Sequence, residues 1–470
     1  MPTAYSPSRL VAGSRDGLRL ALAGELLLRR ERLHVAGPET VDRRRDGAYA
    51  RNPGDLEVDP KSGPKRVCYR ATHLKAFMFL EYTPEQQAFR DEIRAYVDEL
   101  MSDDLRAELD SSDGGGPLYF SAMERLGADG WLGVGWPREH GGQERGPIEQ
   151  FIFFDEVRRA GFPVPILTLN TVGPTLLKFG TEAQKKEYLP RILAGKCHFS
   201  IGYSEPGAGT DLASLQTTAV RDGDEYVIRG QKIWTSLAGH ADYIWLACRT
   251  DSDAKAHKGI SIIIVPADSE GLEMSRIDAM GDNSTYAVYY DDVRVPVGNL
   301  VGHENGGWQL ITSQLNHERV VICALGIMEE LFLETVDWAK RTPNGDGGRV
   351  ADLPWVRTNL ARVYAGLEIL KLFNWQQAWS IGEGRLGPAE ASTIKVYGTE
   401  FYGQAARLLM EVHGAGGVLH RSSEGAILAG RLEKYYRTTL VLTFGGGTNE
   451  IQRDIICQAG LGMPRLRRRA

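Results

Sequence analysis

The stretch Tyr203-Ser-Glu-Pro-Gly-Ala-Gly-Thr-Asp211 separates two kinds of sequence. Before it the pattern is helical. Thr83-Pro-Glu-Gln86 reads as a capping box with proline at the first helical position, and Phe89, Ile93, Val97 and Leu100 follow at helical spacing. Residues 119–126 and 147–159 continue the pattern, and Thr181-Glu-Ala-Gln184 opens another capped helix. After the stretch the period changes. Residues 216–221, a turn at Asp222-Gly223, and 225–229 read as a hairpin. Residues 232–235, 243–250, 260–265, 284–290 and 292–295 are rich in β-branched and aromatic side chains. Short strands with no helices between them predict a small antiparallel barrel or sandwich. Helical pattern returns at Gly307, with 308–338, 355–379, 387–409 and 427–442 each read as one long helix of a bundle. The expected fold is multidomain α+β: a helical domain over 78–198, a middle β domain over 199–305 and a helical bundle over 306–470.

Within the stretch itself, Gly207 and Gly209 let a ligand approach the backbone, and Ser204 and Thr210 add hydroxyls. Alone it also fits a plain turn. Lys232-Ile-Trp-Thr-Ser236 sets an indole beside two hydroxyls, where core packing is the competing reading for Trp234. Phe444-Gly-Gly-Gly-Thr-Asn-Glu-Ile-Gln-Arg453 offers backbone N–H groups where a helix begins, or else a flexible hinge.

The charge balance is uneven. The chain carries −6 overall, yet residues 1–77 hold 15 Lys/Arg against 9 Asp/Glu, a net of +6. This segment lacks sustained periodicity and contains Arg43-Arg44-Arg45. It reads as a basic arm for a partner or, with more support, as a disordered extension. Met78 looks like a natural start, and a chain beginning there is expected to fold. The terminal Arg465-Leu-Arg-Arg-Arg469 reads as solvated. The mild overall acidity gives no support for nucleic-acid binding. No apolar run is long enough to span a bilayer, and Arg19 and Glu25 interrupt the nearest approach to a signal segment. Five scattered cysteines (Cys68, Cys197, Cys248, Cys323, Cys457) form no C-x-x-C pair, which argues against disulfides and zinc and fits a reducing cytoplasm.

One acidic residue stands out. Trp308, Ile311, Leu315, Ile322 and Leu325 make the inward stripe of the first bundle helix, and Glu318 falls inside it. A carboxylate there loses hydration, so its pKa is expected to rise, which suits a general base near neutral pH. A structural glutamate paired with Arg319 or His317 is the competing reading.

Taken together in this order, the three motifs resemble the acyl-CoA dehydrogenase family from Met78 to Arg465. The resemblance implies an N-terminal helical domain, a middle β domain and a C-terminal four-helix bundle. It implies FAD held without a Rossmann fingerprint, and no G-x-G-x-x-G links a strand to a helix here. By position, Ile201, Tyr203 and Ser204 would line the flavin ring, Trp234 would pack on it, and Ser236 would bond its N5 edge. Thr448 and Glu450 would reach the cofactor from the C-terminal loop. Thr210, Asn316, Arg319 and Gly446 would contact the acyl-CoA.

Two features depart from the commoner family pattern. Many members carry the catalytic Glu two residues before the C-terminal Thr, where this chain has Gly446. Glu318, in Leu315-Asn-His-Glu-Arg-Val320, instead matches the base position of members similar to isovaleryl-CoA dehydrogenase. Family homotetramers also carry an Arg-x-x-Phe-Gly pattern for a neighbour's FAD pyrophosphate, absent from Ala339-Lys-Arg-Thr-Pro-Asn-Gly345. In this the chain resembles actinobacterial steroid side-chain dehydrogenases, which are heterotetramers of two unlike subunits. The implied activity is α,β-desaturation of an acyl-CoA thioester, with electrons passing to an electron-transfer flavoprotein. The alternatives are an acyl-CoA oxidase and a non-catalytic partner subunit.

Overall fold

The computed structural model describes residues 81–464 except 113, 282 and 283, and for 315–322 the backbone but not the side chains. The expectations for 1–77 and for 465–469 lie outside the described residues.

Helix α1 (Pro84–Leu100) starts as its sequence dictates. The Thr83 hydroxyl accepts the Gln86 N–H, and the Gln86 side chain accepts the Thr83 N–H. Its apolar positions Phe89, Ile93, Val97 and Leu100 are buried. There follow α2 (Asp103–Ser111), α3 (Pro117–Ala128), α4 (Pro147–Arg159), a π-helical turn (Leu167–Val172), α5 (Gly173–Phe179) and α6 (Glu182–Leu193). The second capping box recurs at Thr181.

The middle strands are β1 (Phe199–Gly202), β2 (Thr218–Asp222), β3 (Glu225–Lys232), β4 (Tyr243–Arg249), β5 (Ile260–Pro266), β6 (Leu272–Asp278), β7 (Ser284–Pro296) and β8 (Leu300–Val301). They run in the order β6-β7-β3-β2-β4-β5-β8, with β1 added against β4. The sequence predicts an antiparallel sheet, and the sheet departs from that in two pairings. β1 pairs parallel with β4, and β2 touches β4 in parallel at Thr218–Arg249. A parallel pair needs a long crossover, and residues 203–242 supply it.

Strands β4 and β5 read as continuous apolar runs because both faces are covered. Ile244, Leu246, Cys248, Ile263 and Val265 pack inside the β domain with Ile228, Val288 and Val293. Trp245, Ala247, Ile260, Ile262 and Ile264 face the helices, in one core with Phe199, Leu310 and Ile311. This shared layer fixes the β domain against the helices that flank it in sequence.

Four local expectations are corrected. Residues 284–295 form one strand, β7, with Asp292 at φ 54° and a register shift against β3 between Ile228 and Gly230. Strand β6, Leu-Glu-Met-Ser-Arg-Ile-Asp, was hidden by its polar composition; it is an edge strand, exposed along most of its length. Residues 427–442 are not one helix. A 3-10 turn (Ile427–Gly430) places Leu428 and Ala429 at positive φ before the short α11 (Arg431–Thr439) and a second 3-10 turn (Leu440–Thr443).

The fourth correction bears on function. Residues 308–338 form two helices, α7 (Gly307–Ile322) and α8 (Gly326–Arg341). Any side chain at Gly326 would overlap the Asp155 carbonyl of α4, so α8 begins where only glycine fits. The groups freed by the break find partners. Asp155 Oδ1 accepts the N–H groups of Leu325 and Gly326, each at 2.9 Å. The Cys323 carbonyl accepts from the Asn374 amide at 2.9 Å, and the Ala324 carbonyl from the Tyr402 hydroxyl. Asn374 lies on α9 (Pro354–Gly382) and Tyr402 on α10 (Pro388–His413). Helix α10 packs against α9, α11 and the last helix, α12 (Asn449–Ile455). No helix among the described residues is long and apolar enough to cross a membrane.

Candidate active site

The end of β1 and the end of β3 are locked together by one buried ion pair. The alternation of β3 turns Lys232 inward, where it is fully buried. Its Nζ lies 2.8 Å from Glu205 Oε1 and 3.0 Å from the Tyr203 carbonyl. Glu205 also accepts the N–H groups of Gln216 and Thr217 at 2.6 and 2.8 Å. Burial raises the Glu205 carboxyl, but the Lys232 ammonium and these donors outweigh it and hold the group below its ordinary value. Burial pulls Lys232 down against the attraction of Glu205.

Backbone bonds complete the frame. The Ile233 N–H donates to the Ser204 carbonyl at 2.9 Å, and the Thr235 N–H to the Tyr286 carbonyl at 3.0 Å. The Ser200 hydroxyl donates to the Ser236 carbonyl at 2.6 Å. The strand expected over 232–235 is therefore not formed: Lys232 ends β3, and residues 233–235 leave the sheet. They form a tethered turn in which Trp234 takes φ 63° and remains 60% exposed. A left-handed conformation at a bulky residue is strained and persists only where its surroundings over-determine it, as the bonds on both sides do here. Core packing is thus ruled out for Trp234. Ser236 is also exposed, while Ile201, Tyr203 and Ser204 are partly buried. Thr210 is exposed at the loop tip, and a Cβ at Gly207 or Gly209 would meet nothing within 4 Å. The structure thus brings Tyr203 and Ser204 beside the Trp234–Ser236 turn.

The Tyr203 hydroxyl then reaches across to α7 and donates to Gln314 Oε1. Gln314 is buried one helical turn before Glu318. The side chains of Asn316, Glu318 and Arg319 lie outside the described residues; the backbone places all three on α7, between Gln314 and the break at Cys323.

The C-terminal loop forms a separate cluster. Lys395, fully buried on α10, donates to the carbonyls of Thr443 and Gly447 at 3.2 and 2.7 Å and to Asn449 Oδ1 at 2.7 Å. Gly446 and Gly447 take φ 65° and 91°. The Thr448 hydroxyl caps α12 by accepting the Ile451 N–H at 3.2 Å, so one of the N–H groups expected to be free is already satisfied. Glu450 is exposed. No hydrogen bond among the described residues joins this loop to the Tyr203–Trp234 cluster.

Sequence reading missed Glu205, Lys232, Gln314 and Lys395. For Lys232 and Lys395 a signal existed: each falls at an inward position of its element's period, where a lone lysine needs a partner.

Comparison with known proteins finds three family domains in succession along the chain. The acyl-CoA dehydrogenase N-terminal domain model matches residues 83–196, the middle domain 200–293 and the C-terminal domain 305–461. The chain is similar to acyl-CoA dehydrogenase FadE26 of Mycobacterium tuberculosis, 52% identical over 400 residues that cover 83% of this chain and 100% of that protein. It superposes on a chain of the ChsE4-ChsE5 complex from Mycobacterium tuberculosis with a TM-score of 0.79 at 52% identity, covering 83% and 100%. A chain of the Tcur3481-Tcur3483 steroid ACAD gives the same TM-score of 0.79, also at 52% identity with 83% and 100% coverage.

Proposed function

The chain belongs to the acyl-CoA dehydrogenase family, and from that premise we propose that it desaturates a steroid side-chain acyl-CoA between Cα and Cβ, with Glu318 as the base. Members of this family are oxidoreductases and generally bind FAD. One observation carries the reading: the exposed Trp234 turn is fastened to Tyr203, whose hydroxyl reaches the helix that bears Glu318. A planar ring system with polar edges fits a bare indole flanked by the hydroxyls of Ser204 and Ser236.

In this reading Ile201, Tyr203 and Ser204 would line the flavin, Trp234 would pack against it and Ser236 would donate to its edge. Bound FAD would supply the acceptor for the β-hydride. Glu318 takes the α-proton. The Gly446 N–H donates to the thioester oxygen as enolate charge develops there. Thr210, Asn316 and Arg319 hold the acyl-CoA, while Thr448 and Glu450 reach the cofactor from the C-terminal loop. The steroid assignment is supported by the similarity to the steroid ACAD. The ChsE4-ChsE5 complex supports an unlike partner subunit, as does the lack of Arg-x-x-Phe-Gly, and the assembly proposed is a tetramer. Arg341 is an unconvincing substitute for that arginine, because it pairs with Asp337 on its own helix at 2.6 Å. Electrons leave to an electron-transfer flavoprotein, and the scattered cysteines favour a cytoplasmic setting.

The test is Glu318→Gln in the full chain, purified with a co-expressed partner subunit. FAD content and acyl-CoA affinity should persist. General-base catalysis is commonly worth on the order of a hundred- to ten-thousand-fold, so bleaching of the flavin by a steroid acyl-CoA should slow at least about a hundredfold. Bleaching at the unsubstituted rate would defeat the assignment. Hydrogen peroxide formed stoichiometrically in air would favour an oxidase.

A further inference from the structure

Trp234 sits on the β domain and Gly446 on the helical bundle. The apolar layer that joins the two units is made by β4 and β5 with Leu310 and Ile311 of α7. The Trp234 turn lies toward the other edge of the sheet, where β3, β7 and β6 run side by side. A second junction lies at that edge. The loop between β6 and β7 rests on α11. The Thr438 hydroxyl donates to the Gly281 carbonyl at 2.9 Å, and the Arg437 guanidinium to the Met280 carbonyl. Glu433, one helical turn back, holds Arg437 in place at 2.5 and 3.0 Å. The approach is backbone to backbone: a Cβ at Gly281 would stand 2.7 Å from Thr438 Cα and 3.2 Å from its nitrogen. This closeness, not a left-handed backbone, demands glycine at 281.

Each side of the junction leads directly to one half of the candidate site. Just beyond Gly281, in β7, the Tyr286 carbonyl accepts the Thr235 N–H at 3.0 Å. The Tyr286 ring also fills the space where a side chain at Gly239 would lie. Both contacts hold the turn that bears Trp234. On the other side, α11 ends one residue after Thr438, and the 3-10 turn Leu440–Thr443 delivers the chain to Gly446. The Gly445 N–H, donating to the Val441 carbonyl at 2.7 Å, ties the start of that loop to the turn.

We propose that the β6–β7 loop is a strap that sets the spacing between the Trp234 turn and the Gly446 loop, with Gly281 and Thr438 as positioning residues for the desaturation. The inference rests on the reading of Trp234 as the flavin platform and of Gly446 as the donor to the thioester oxygen. The substrate is then gripped at its oxygen by the bundle, while its β-carbon must meet an acceptor carried by the β domain. Reacting atoms need to be held about 3–3.5 Å apart, and a misplacement of about 1 Å costs on the order of a hundredfold in rate. An error in the spacing falls on the rate more than on affinity, because the bond to the oxygen strengthens only as charge develops there.

The experiment uses the full chain, flavinated with its co-expressed partner. It reads flavin bleaching by a steroid acyl-CoA and, without substrate, amide exchange. Gly281→Ala forces the loop off α11 and should slow bleaching at saturating acyl-CoA by on the order of a hundredfold, with FAD content and acyl-CoA affinity kept. Thr438→Val removes only the hydroxyl donor and should slow it by about two- to tenfold. Thr438→Ser keeps the donor and should recover most of that loss. In Gly281→Ala, exchange should quicken both at 235–236 and at 440–446 while β4 stays protected. Exchange unchanged at either end would overturn the proposal. So would a lowered unfolding temperature with an unslowed saturating rate, which is what a merely structural contact gives. The wild-type complex separates the two failures. If it bleaches and both Gly281→Ala and Thr438→Val match it, the strap falls alone. If no acyl-CoA bleaches it, the dehydrogenase reading falls and takes the strap's role with it.

Discussion

Asp155 caps Gly326. The carboxylate oxygen Oδ1 on α4 accepts the Gly326 N–H at 2.9 Å and the Leu325 N–H at the same distance. The helix carrying Glu318 therefore stops at a point set by a residue of the N-terminal helical domain. The cap is an unusual one, because the carboxyl is buried and next to Glu156. Burial, with the charges of Glu156 and Glu329, raises Asp155 to about 7. The neighbouring Glu156 moves the other way. Burial raises it, but Arg94, Arg90 and Arg159 together bring it down to about 2.

Asp155→Ala removes the acceptor from two buried N–H groups. Each unsatisfied donor costs about 1–3 kcal/mol, so the variant should lose roughly 2–6 kcal/mol in thermal or denaturant unfolding. Asp155→Asn keeps an acceptor and should lose far less. The pH dependence has a definite sign. Because the folded-state pKa lies above the unfolded value, the native state binds the extra proton, and wild-type stability falls as pH rises from about 4 to about 7. Asp155→Asn lacks that loss, so it should compare more favourably with the wild type at pH 8 than at pH 5. The opposite trend would show that the carboxyl is ionised in the folded protein throughout.

Glu156→Gln leaves three arginines without their shared carboxylate. Breaking a buried pair by removing one partner commonly costs about 3–5 kcal/mol. Glu156 is depressed in the folded state, so its contribution is present above the unfolded value near 4.5 and is lost as pH falls toward 2. The stability gap between Glu156→Gln and the wild type should be widest near neutral pH and should narrow below about pH 4.5. Equal gaps at pH 7 and pH 3 would show that the arginines do not depress this carboxyl.

These two carboxyls also mark the limit of what the sequence discloses. Capping boxes, strand alternation and inward stripes are local patterns, and they locate α1, α4, α6, β4, β5, α9 and α10 because each signal lies within one element. The break between α7 and α8 has no local signal. Cys323-Ala-Leu-Gly326 continues a helical stripe, and it yields only because Asp155, Asn374 and Tyr402 arrive from three other helices. The same holds for the candidate site. Trp234 and the 203–211 loop are recognisable as motifs, but the bonds that make Trp234 a surface platform come from Lys232, Glu205 and the Tyr286 carbonyl. Gln314 looks like an ordinary helix residue until the Tyr203 hydroxyl is seen against it.

Lys232→Met tests the frame of that platform. It leaves the largely buried Glu205 facing an apolar chain, at a cost of about 3–5 kcal/mol. The turn bearing Trp234 loses its tie to the Tyr203 carbonyl, so FAD content should fall more than the unfolding temperature alone would imply. Combining Lys232→Met with Glu205→Gln removes the uncompensated charge and should recover part of the stability without recovering the cofactor. Full flavination of the double variant would show that Lys232 matters for stability alone.

Lys395→Met tests the C-terminal loop in the same way, with a different expected outcome. The Lys395 ammonium has three acceptors on the loop and the first residue of α12, at 3.2, 2.7 and 2.7 Å. Methionine fits the volume but donates nothing, so the Thr443 and Gly447 carbonyls lose this donor. Gly446 and Gly447 already sit at positive φ, where glycine has most freedom to leave. Helix α10 itself is long and packed on several sides, and should survive. The loss should therefore be local: exchange of the amides of 443–449 should quicken while the rest of α10 stays protected. If Gly446 is the donor to the thioester oxygen, the rate of flavin bleaching should drop with little change in acyl-CoA affinity, since that bond strengthens as charge develops. Quickened exchange with an unaltered bleaching rate would leave Lys395 structural and move the oxygen's donor elsewhere. Unaltered exchange would show that the loop holds its shape without the lysine.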